Sequence, residues 1–122
     1  MKRFKMVVLS NAKTGREDEY TDWYANRHLA DIVAVPGFVS AQCFKLREAM
    51  GFPHRHQYLA IYEMESDDPL SVISEMVRRR NSMVVTDAQD TDTVTCGVFE
   101  ACSPEVQAKT KMHGPTDKAQ VA

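Results

Sequence analysis

Residues Tyr20 to Phe38 read YTDWYANRHLADIVAVPGF, and the reading of this stretch decides the fold. It sets Tyr20, Trp23 and Tyr24 beside Arg27, His28 and Asp31, then stops at Pro36-Gly37. Upstream, Thr14 is placed to accept from an orphan amide, and Glu17, three residues on, completes a capping-box pattern. Glu17, Asp18 and Glu19 put negative charge in the first turn, where the helix dipole favours it. The pattern predicts one helix ending near Ala34, because Pro36 disfavours helical geometry at Val35.

Strands flank that helix. FKMVVL (Phe4 to Leu9) is short, rich in Val and Met, and bounded by Ser10-Asn11. Phe38 to Leu46 predicts a second strand, with Phe38, Ser40, Gln42, Phe44 and Leu46 on one face and Val39, Ala41 and Cys43 on the other. Gly51 and Pro53 mark the connection to a third strand, Tyr58 to Met64, in which Tyr58, Ala60, Tyr62 and Met64 share a face. Ser66-Asp67-Asp68-Pro69 starts a second helix, with Leu70, Ile73, Met76 and Val77 at helical spacing. Arg78, Arg79 and Arg80 suit its C-terminal end. Residues 82–92 fit a strand or a helical extension followed by a polar loop, and Val94 to Phe99 reads as a fourth strand.

The chain of 122 residues is sized for one domain, expected over 1–102, with a polar tail at 103–122. A net charge of −2 offers no basic stripe for nucleic acid. Cys43, Cys96 and Cys102 are odd in number and lack C-x-x-C spacing, so neither a disulfide framework nor a structural zinc site follows. Cys43 and Cys96 read as packed strand residues. Charges interrupt residues 1–9, and no run approaches the ~20 apolar residues of a membrane span, so the expected compartment is the cytoplasm.

The order β-α-β-β-α-β is that of an α+β, ferredoxin-like sandwich: an antiparallel four-stranded sheet with both helices on one face. Its strands are apolar on both sides, and a bare apolar sheet face is rare on a monomer. A homodimer packed through that sheet face is therefore expected. The run YTDWYANRHLADIVAVPGFVSAQCFKL, with its aromatic pair, His-Leu and closing Pro-Gly-Phe, resembles small proteins of the dimeric α/β-barrel superfamily, the EthD-like proteins among them. YLAIYEMES followed by Asp-Pro-Leu is similar to their third strand and second helix start. The resemblance implies a dimeric α/β barrel. It names no activity, because the group includes cofactor-free monooxygenases, lactone isomerases, polyketide cyclases, haem-handling enzymes and proteins without known activity. In its enzymes a His at the helix position of His28 can serve as acid or base.

On a wheel at ~100° per residue, Tyr24, Ala25, Leu29, Ile32 and Val35 form the apolar arc, with His28 near its middle. His28 is thus either a core histidine or the acid/base group of a pocket between the first helix and the sheet. Tyr24, one turn earlier, can touch it. Asp31 can hold its tautomer or pair with Arg27 at the arc's edge. Trp23 falls off the arc, as a pocket wall or a dimer contact. Tyr58 is a candidate phenol across the pocket, and His56 a candidate for its mouth. His54 and His56 could share a face, but no carboxylate or Cys completes a ligand spacing, so no metal is expected. Asn26, Trp23 and His28 point apart on the wheel, so the haem chemistry is not carried over, and no cofactor is expected. His113 carries no argument.

No phosphate-binding loop, nucleophile elbow or zinc-peptidase motif is present. The expectation is a small cytoplasmic protein binding a hydrophobic or aromatic molecule, as a cofactor-independent cyclase, isomerase or monooxygenase. The alternative is a non-catalytic ligand-binding or accessory dimer of a catabolic pathway, with His28 structural.

Overall fold

A computed structural model describes residues 1–109. Of the expected tail, residues 110–122, His113 among them, lie outside the described residues, and 103–109 form no helix or strand. The strands are β1 (Lys2–Ser10), β2 (Phe38–Lys45), β3 (Tyr58–Ser66) and β4 (Thr95–Glu100), joined antiparallel in the order β2-β3-β1-β4. With the helices on one face this is the expected α+β, ferredoxin-like arrangement. Among the described residues no helix is long and apolar enough to cross a membrane.

The alternation of β3 settles its orientation. Tyr58, Ala60, Tyr62 and Met64 are all buried under the helices, and Phe4, Met6 and Ser10 of β1 lie on the same side. The opposite face carries Val7, Leu9, Leu59, Ile61, Phe44 and Phe99, together with the Lys5–Glu63 ion pair. Nothing among the described residues covers this second face, and Phe99 is 59% exposed.

The register of β2 differs from simple alternation. Phe38 pairs with Met64, but Ser40 pairs with Glu63, so Val39 is the extra residue of a β-bulge. The bulge turns Ala41 and Cys43 toward the helices while Ser40, Gln42 and Phe44 face the other way. Phe38 therefore does not share a face with Gln42 and Phe44, as unbroken alternation predicts. The connection into β2 is a tight turn. Val35 O accepts from Phe38 N at 3.2 Å, Pro36 supplies the fixed φ, and Gly37 sits at φ +104, the pattern of a type II turn. A Cβ on Gly37 would lie 2.6 Å from Cγ2 of Val72.

The first helix begins and runs differently from expectation. It starts at Glu17 after Arg16, with no side-chain cap from Thr14. The Glu17 carboxylate instead accepts from Gly15 N, and Arg16 ties the helix start to Glu19 and Asp87. Gly15, at φ +84, makes the bend that separates Thr14 from the helix. The helix is α1 (Glu17–Trp23), then one π-helical turn (Tyr24–His28), then α2 (Leu29–Val33). Leu29 N bonds Tyr24 O, five residues back. Such a turn admits one extra residue and rotates α2 against α1. Ala25 is consequently exposed rather than part of the buried arc, whereas Tyr20, Tyr24, Ile32 and Val35 are buried.

The second helix, α3 (Pro69–Arg78), follows the sequence reading at its start, where the Asp68 carboxylate accepts from Ser71 N. Its buried side is Val72, with Ile73 and Met76 packed against the core, while Leu70 is 72% exposed. Of the residues at helical spacing, Leu70 and Val77 are therefore exposed, because the face turned to the sheet is the one that carries Val72, Ile73 and Met76. Arg78 and Arg79 both pair with Glu75, whose carboxyl they hold down at about 2. The ambiguous stretch after it is a short 3₁₀ turn (Arg80–Ser82) and an extended segment bridged to Ala12 at Gln89.

Candidate functional site

All four tyrosines of the chain meet between the first helix and the sheet. Tyr20 packs edge-on to Tyr24 at 5.1 Å and to Tyr58 at 5.0 Å, an arrangement aromatic quadrupoles favour. At the helix start their hydroxyls are satisfied. Tyr20 donates to Ser10 Oγ at 2.8 Å and accepts from Gln89, while Tyr58 bonds Thr21 Oγ1 at 3.0 Å and Glu17 O at 3.2 Å. Tyr58 is therefore on the helix side, but it anchors the helix start.

Matters differ near the π turn. There His28 stacks on Trp23 with ring centroids 4.2 Å apart and planes 18° from parallel. In a regular α-helix residues five apart project roughly 140° from each other. The π turn brings them onto one side, and so corrects the wheel's placement of Trp23 away from His28. Tyr24 meets the imidazole edge-on at 5.4 Å and Tyr62 does so from β3 at 6.5 Å. The result is an imidazole held by three aromatic rings.

Two polar atoms in this cluster, His28 Nδ1 and Tyr62 Oη, are buried and have no hydrogen-bond partner among the described residues. Each such atom costs roughly 1–3 kcal/mol in lost hydration. Burial pushes the His28 pKa down to about 4; Asp31 opposes the shift and Arg80 adds to it. His28 is accordingly neutral at pH 7. Burial also raises the Tyr24 and Tyr62 phenols, which stay protonated. Tyr62 is not among the residues the sequence singles out. Its signal is its place in the alternating set Tyr58, Ala60, Tyr62 and Met64, once that face is known to be the helix side.

The remaining candidates have other partners. Asp31 accepts from Val84 N at 3.3 Å, and Trp23 Nε1 donates to Val84 O at 2.9 Å, so both pin the segment after α3 against the first helix. Arg27 is exposed and forms no salt bridge among the described residues. Asn26 is exposed and donates to Asp22 at 2.6 Å. Cys43 is half-buried and its thiol pKa is raised by burial, whereas Cys96 is exposed rather than packed, because β4 is an edge strand.

The expected pocket between helix and sheet is filled by the tyrosines. Two cavities open instead under the β2–β3 connection, and His28 lines neither. One, of about 260 Å³, is lined by Asn11, Arg55 and Asp90 among others. The other, of about 350 Å³, includes Tyr58, Lys45 and Arg47. His54 and His56 line both, and His56 Nε2 donates to Thr93 O at 2.8 Å. The sequence-predicted residues thus divide. Trp23, Tyr24 and His28 form one cluster, Tyr58 is buried beside Tyr20 with His56 at the rim, Asp31 is half-buried against Val84, and Arg27 is exposed. No group of three His, Cys, Asp or Glu side chains that could hold a metal ion occurs among the described residues.

No protein-family model and no curated protein sequence matches the chain. Solved structures do. A candidate monooxygenase from Shewanella loihica PV-4 aligns over 84% of this chain and 97% of its own, at TM-score 0.58 and 9% identity. An MhuD variant with two manganese protoporphyrin IX molecules per active site aligns over 85% and 99%, at TM-score 0.58 and 15% identity. A dimeric ferredoxin-like protein from Jannaschia sp. CCS1 aligns over 81% and 99%, at TM-score 0.53 and 14% identity. An EthD family protein from Bacillus halodurans C-125 is also among the matches, at TM-score 0.49. At these identities the likeness is one of fold: the chain has the ferredoxin-like fold that the order of its elements predicts, shared with the three structures above TM-score 0.5.

Proposed function

We propose that this protein is a cytoplasmic homodimer that binds a hydrophobic, aromatic small molecule at His28. The observation that carries this reading is the pair of buried, unpartnered polar atoms, His28 Nδ1 and Tyr62 Oη, within one aromatic cage at a π turn. π turns concentrate at functional sites, and orphaned buried polar groups call for a ligand, a water or a catalytic role. A carbonyl, enol or phenol oxygen satisfies both atoms at once, while Trp23 and Tyr24 offer ring faces and edges to its aromatic body. Entry requires the Val84 segment to part from Trp23 and Asp31, a matter of two hydrogen bonds.

The low pKa of His28 shapes the chemistry. An imidazole near 4 is a weak base at pH 7, since general-base catalysis is best served by a pKa near the working pH. It is better suited to hydrogen-bond a developing enolate or phenolate oxygen together with the Tyr62 phenol. An anion at that place would itself raise the His28 pKa, so proton transfer follows the charge that the ligand brings. This fits cofactor-independent isomerisation, cyclisation or oxygenation of a stabilised carbanion. The fold's occurrence in a candidate monooxygenase and in a porphyrin-binding protein supports a small-molecule role of this general kind.

The dimer reading rests on the open sheet face. Val7, Leu9, Leu59, Ile61, Phe44 and Phe99 put apolar side chains from all four strands on this face, beside the Lys5–Glu63 ion pair. A second copy packed face to face about a two-fold axis would remove it from water and close a barrel. That a ferredoxin-like neighbour is dimeric supports a dimer of this chain.

A second reading, the non-catalytic accessory dimer, is favoured by one observation: the His28 ring is packed on Trp23 and lines neither cavity. His28→Gln separates the two. Under the proposal it abolishes binding of aromatic enols, read by fluorescence titration, and changes stability little. A loss of ~2 kcal/mol or more of stability with binding unchanged would leave the catalytic reading without support.

A further inference from the structure

Given the dimer proposed above, we infer that the Lys5–Glu63 ion pair is its recognition key: Lys5 of each copy meets Glu63 of the other and fixes one arrangement of the two sheets. The two residues stand directly opposite each other on β1 and β3. Lys5 is also opposite Phe99 of β4, and Glu63 opposite Ser40 of β2. Lys5 is 55% exposed and Glu63 24%. A second copy that takes Phe99, Val7 and Ile61 out of water has to cover this pair as well, because it adjoins Phe99 across the sheet and Val7 and Ile61 along the strands.

The open face is sorted by polarity along its strands. Arg3 with Glu65 and Lys5 with Glu63 occupy one end, and Val7 with Ile61 and Leu9 with Leu59 occupy the other. Sheets packed face to face in the aligned manner keep their strands within about 30° of each other, which leaves two two-fold arrangements. An axis across the strands lays the charged rows on the apolar rows. Both ion pairs then lose water and gain nothing polar, a costly burial. An axis along the strands, between β1 and β3, lays each row on its own copy. There β1 of one chain lies over β3 of the other, so that Lys5 faces Glu63, Arg3 faces Glu65, Val7 faces Ile61 and Leu9 faces Leu59. The contacts are isologous, and each cation has a carboxylate on both sheets. Complementary charges of this kind fix register and exclude mismatched faces more than they add affinity.

Sedimentation of the full chain at low salt tests this with K5E, E63K and the exchanged variant K5E/E63K. Each single substitution sets like charges against each other across the interface and should weaken self-association at least tenfold. An equimolar mixture of K5E and E63K should restore the dimer, although neither chain has regained an ion pair of its own. The exchanged variant keeps a pair within the chain, so it tests the key even where a single variant does not fold, which circular dichroism checks. It should dimerise with itself and, carrying a tag, form no mixed dimer with wild type. Single variants that dimerise like wild type, a folded K5E and E63K mixture that stays monomeric, or free mixing of the exchanged variant with wild type would overturn the key and leave the dimer standing. A monomeric wild type would overturn both.

Discussion

Tyr62→Phe removes a single oxygen from the centre of the molecule, and its two consequences pull in opposite directions. The side chain is completely buried, and its ring packs on Phe38 at 6.2 Å and on His28 at 6.5 Å, contacts that Phe keeps. The hydroxyl has no partner among the described residues. In the folded protein it has lost its water hydrogen bonds and gained only a poorly aligned contact with the Tyr24 phenol, a penalty of roughly 1–3 kcal/mol. Phe carries no such penalty and leaves no cavity larger than the oxygen. Tyr62→Phe is therefore expected to stabilise the fold by about 1 kcal/mol, which for a domain of about 100 residues raises Tm by roughly 4–8 °C. Binding of an aromatic enol should meanwhile weaken about tenfold, the worth of one hydrogen bond of about 1.4 kcal/mol. Urea denaturation and thermal melting measure the first effect and fluorescence titration the second. A destabilisation of about 1 kcal/mol or more would refute the reasoning, because it would mean that the hydroxyl is hydrogen-bonded in the resting protein. A gain in stability without loss of binding would keep the packing argument and discard the site.

Three other perturbations test separate parts of the account. Because the His28 pKa falls from 6.5 to about 4 on folding, its contribution is fully present above pH 6.5 and is lost as pH drops toward 4; the wild type should lose at most about 3 kcal/mol more than His28→Gln over that window, read by urea titrations at several pH values. Gly37→Ala puts a Cβ against Val72 at a positive φ and should cost on the order of 2–3 kcal/mol in denaturant midpoint; Val72→Ala in the same background should recover the steric share alone. Ile61→Lys, at the centre of the open sheet face opposite Val7 and Gln42, should give a monomer by sedimentation while the circular dichroism spectrum is kept; a wild type that is already monomeric at micromolar concentration would remove the dimer from the account.

Much of the architecture was legible in the sequence because it is written in local signals that agree with one another. Alternation along Phe4–Leu9 and Tyr58–Met64, the Pro-Gly turn and the Asp68 cap each report on a few adjacent residues, and each matches the structure. Two features escaped because they insert one residue into a regular period without a composition mark. The bulge at Val39 reversed the faces of β2 after Phe38, and the π turn at Tyr24–His28 rotated the first helix so that Trp23 meets His28. Both errors propagated: the wheel kept Trp23 away from the imidazole and put Ala25 inside. Leu70 was misplaced for a related reason, since helical spacing fixes a face relative to its neighbours but not relative to the sheet. At the site, His28 and Tyr24 were readable from their spacing, whereas Tyr62 reaches them only through the packing of β3 beneath the helix. That tyrosines would fill the helix–sheet space, leaving the cavities at the rim, depends on side-chain volumes in three dimensions and has no one-dimensional signature.

The central claim is that His28 Nδ1 and the Tyr62 hydroxyl together take the oxygen of an aromatic ligand. Titrating protein carrying ¹⁵N-labelled histidine with 1-naphthol, and following the ring nitrogens by NMR, tests it most directly. The account predicts a saturable shift of His28 Nδ1 that Tyr62→Phe diminishes, with His54 and His56 unmoved. Saturable binding of 1-naphthol that leaves the His28 resonances in place would contradict it.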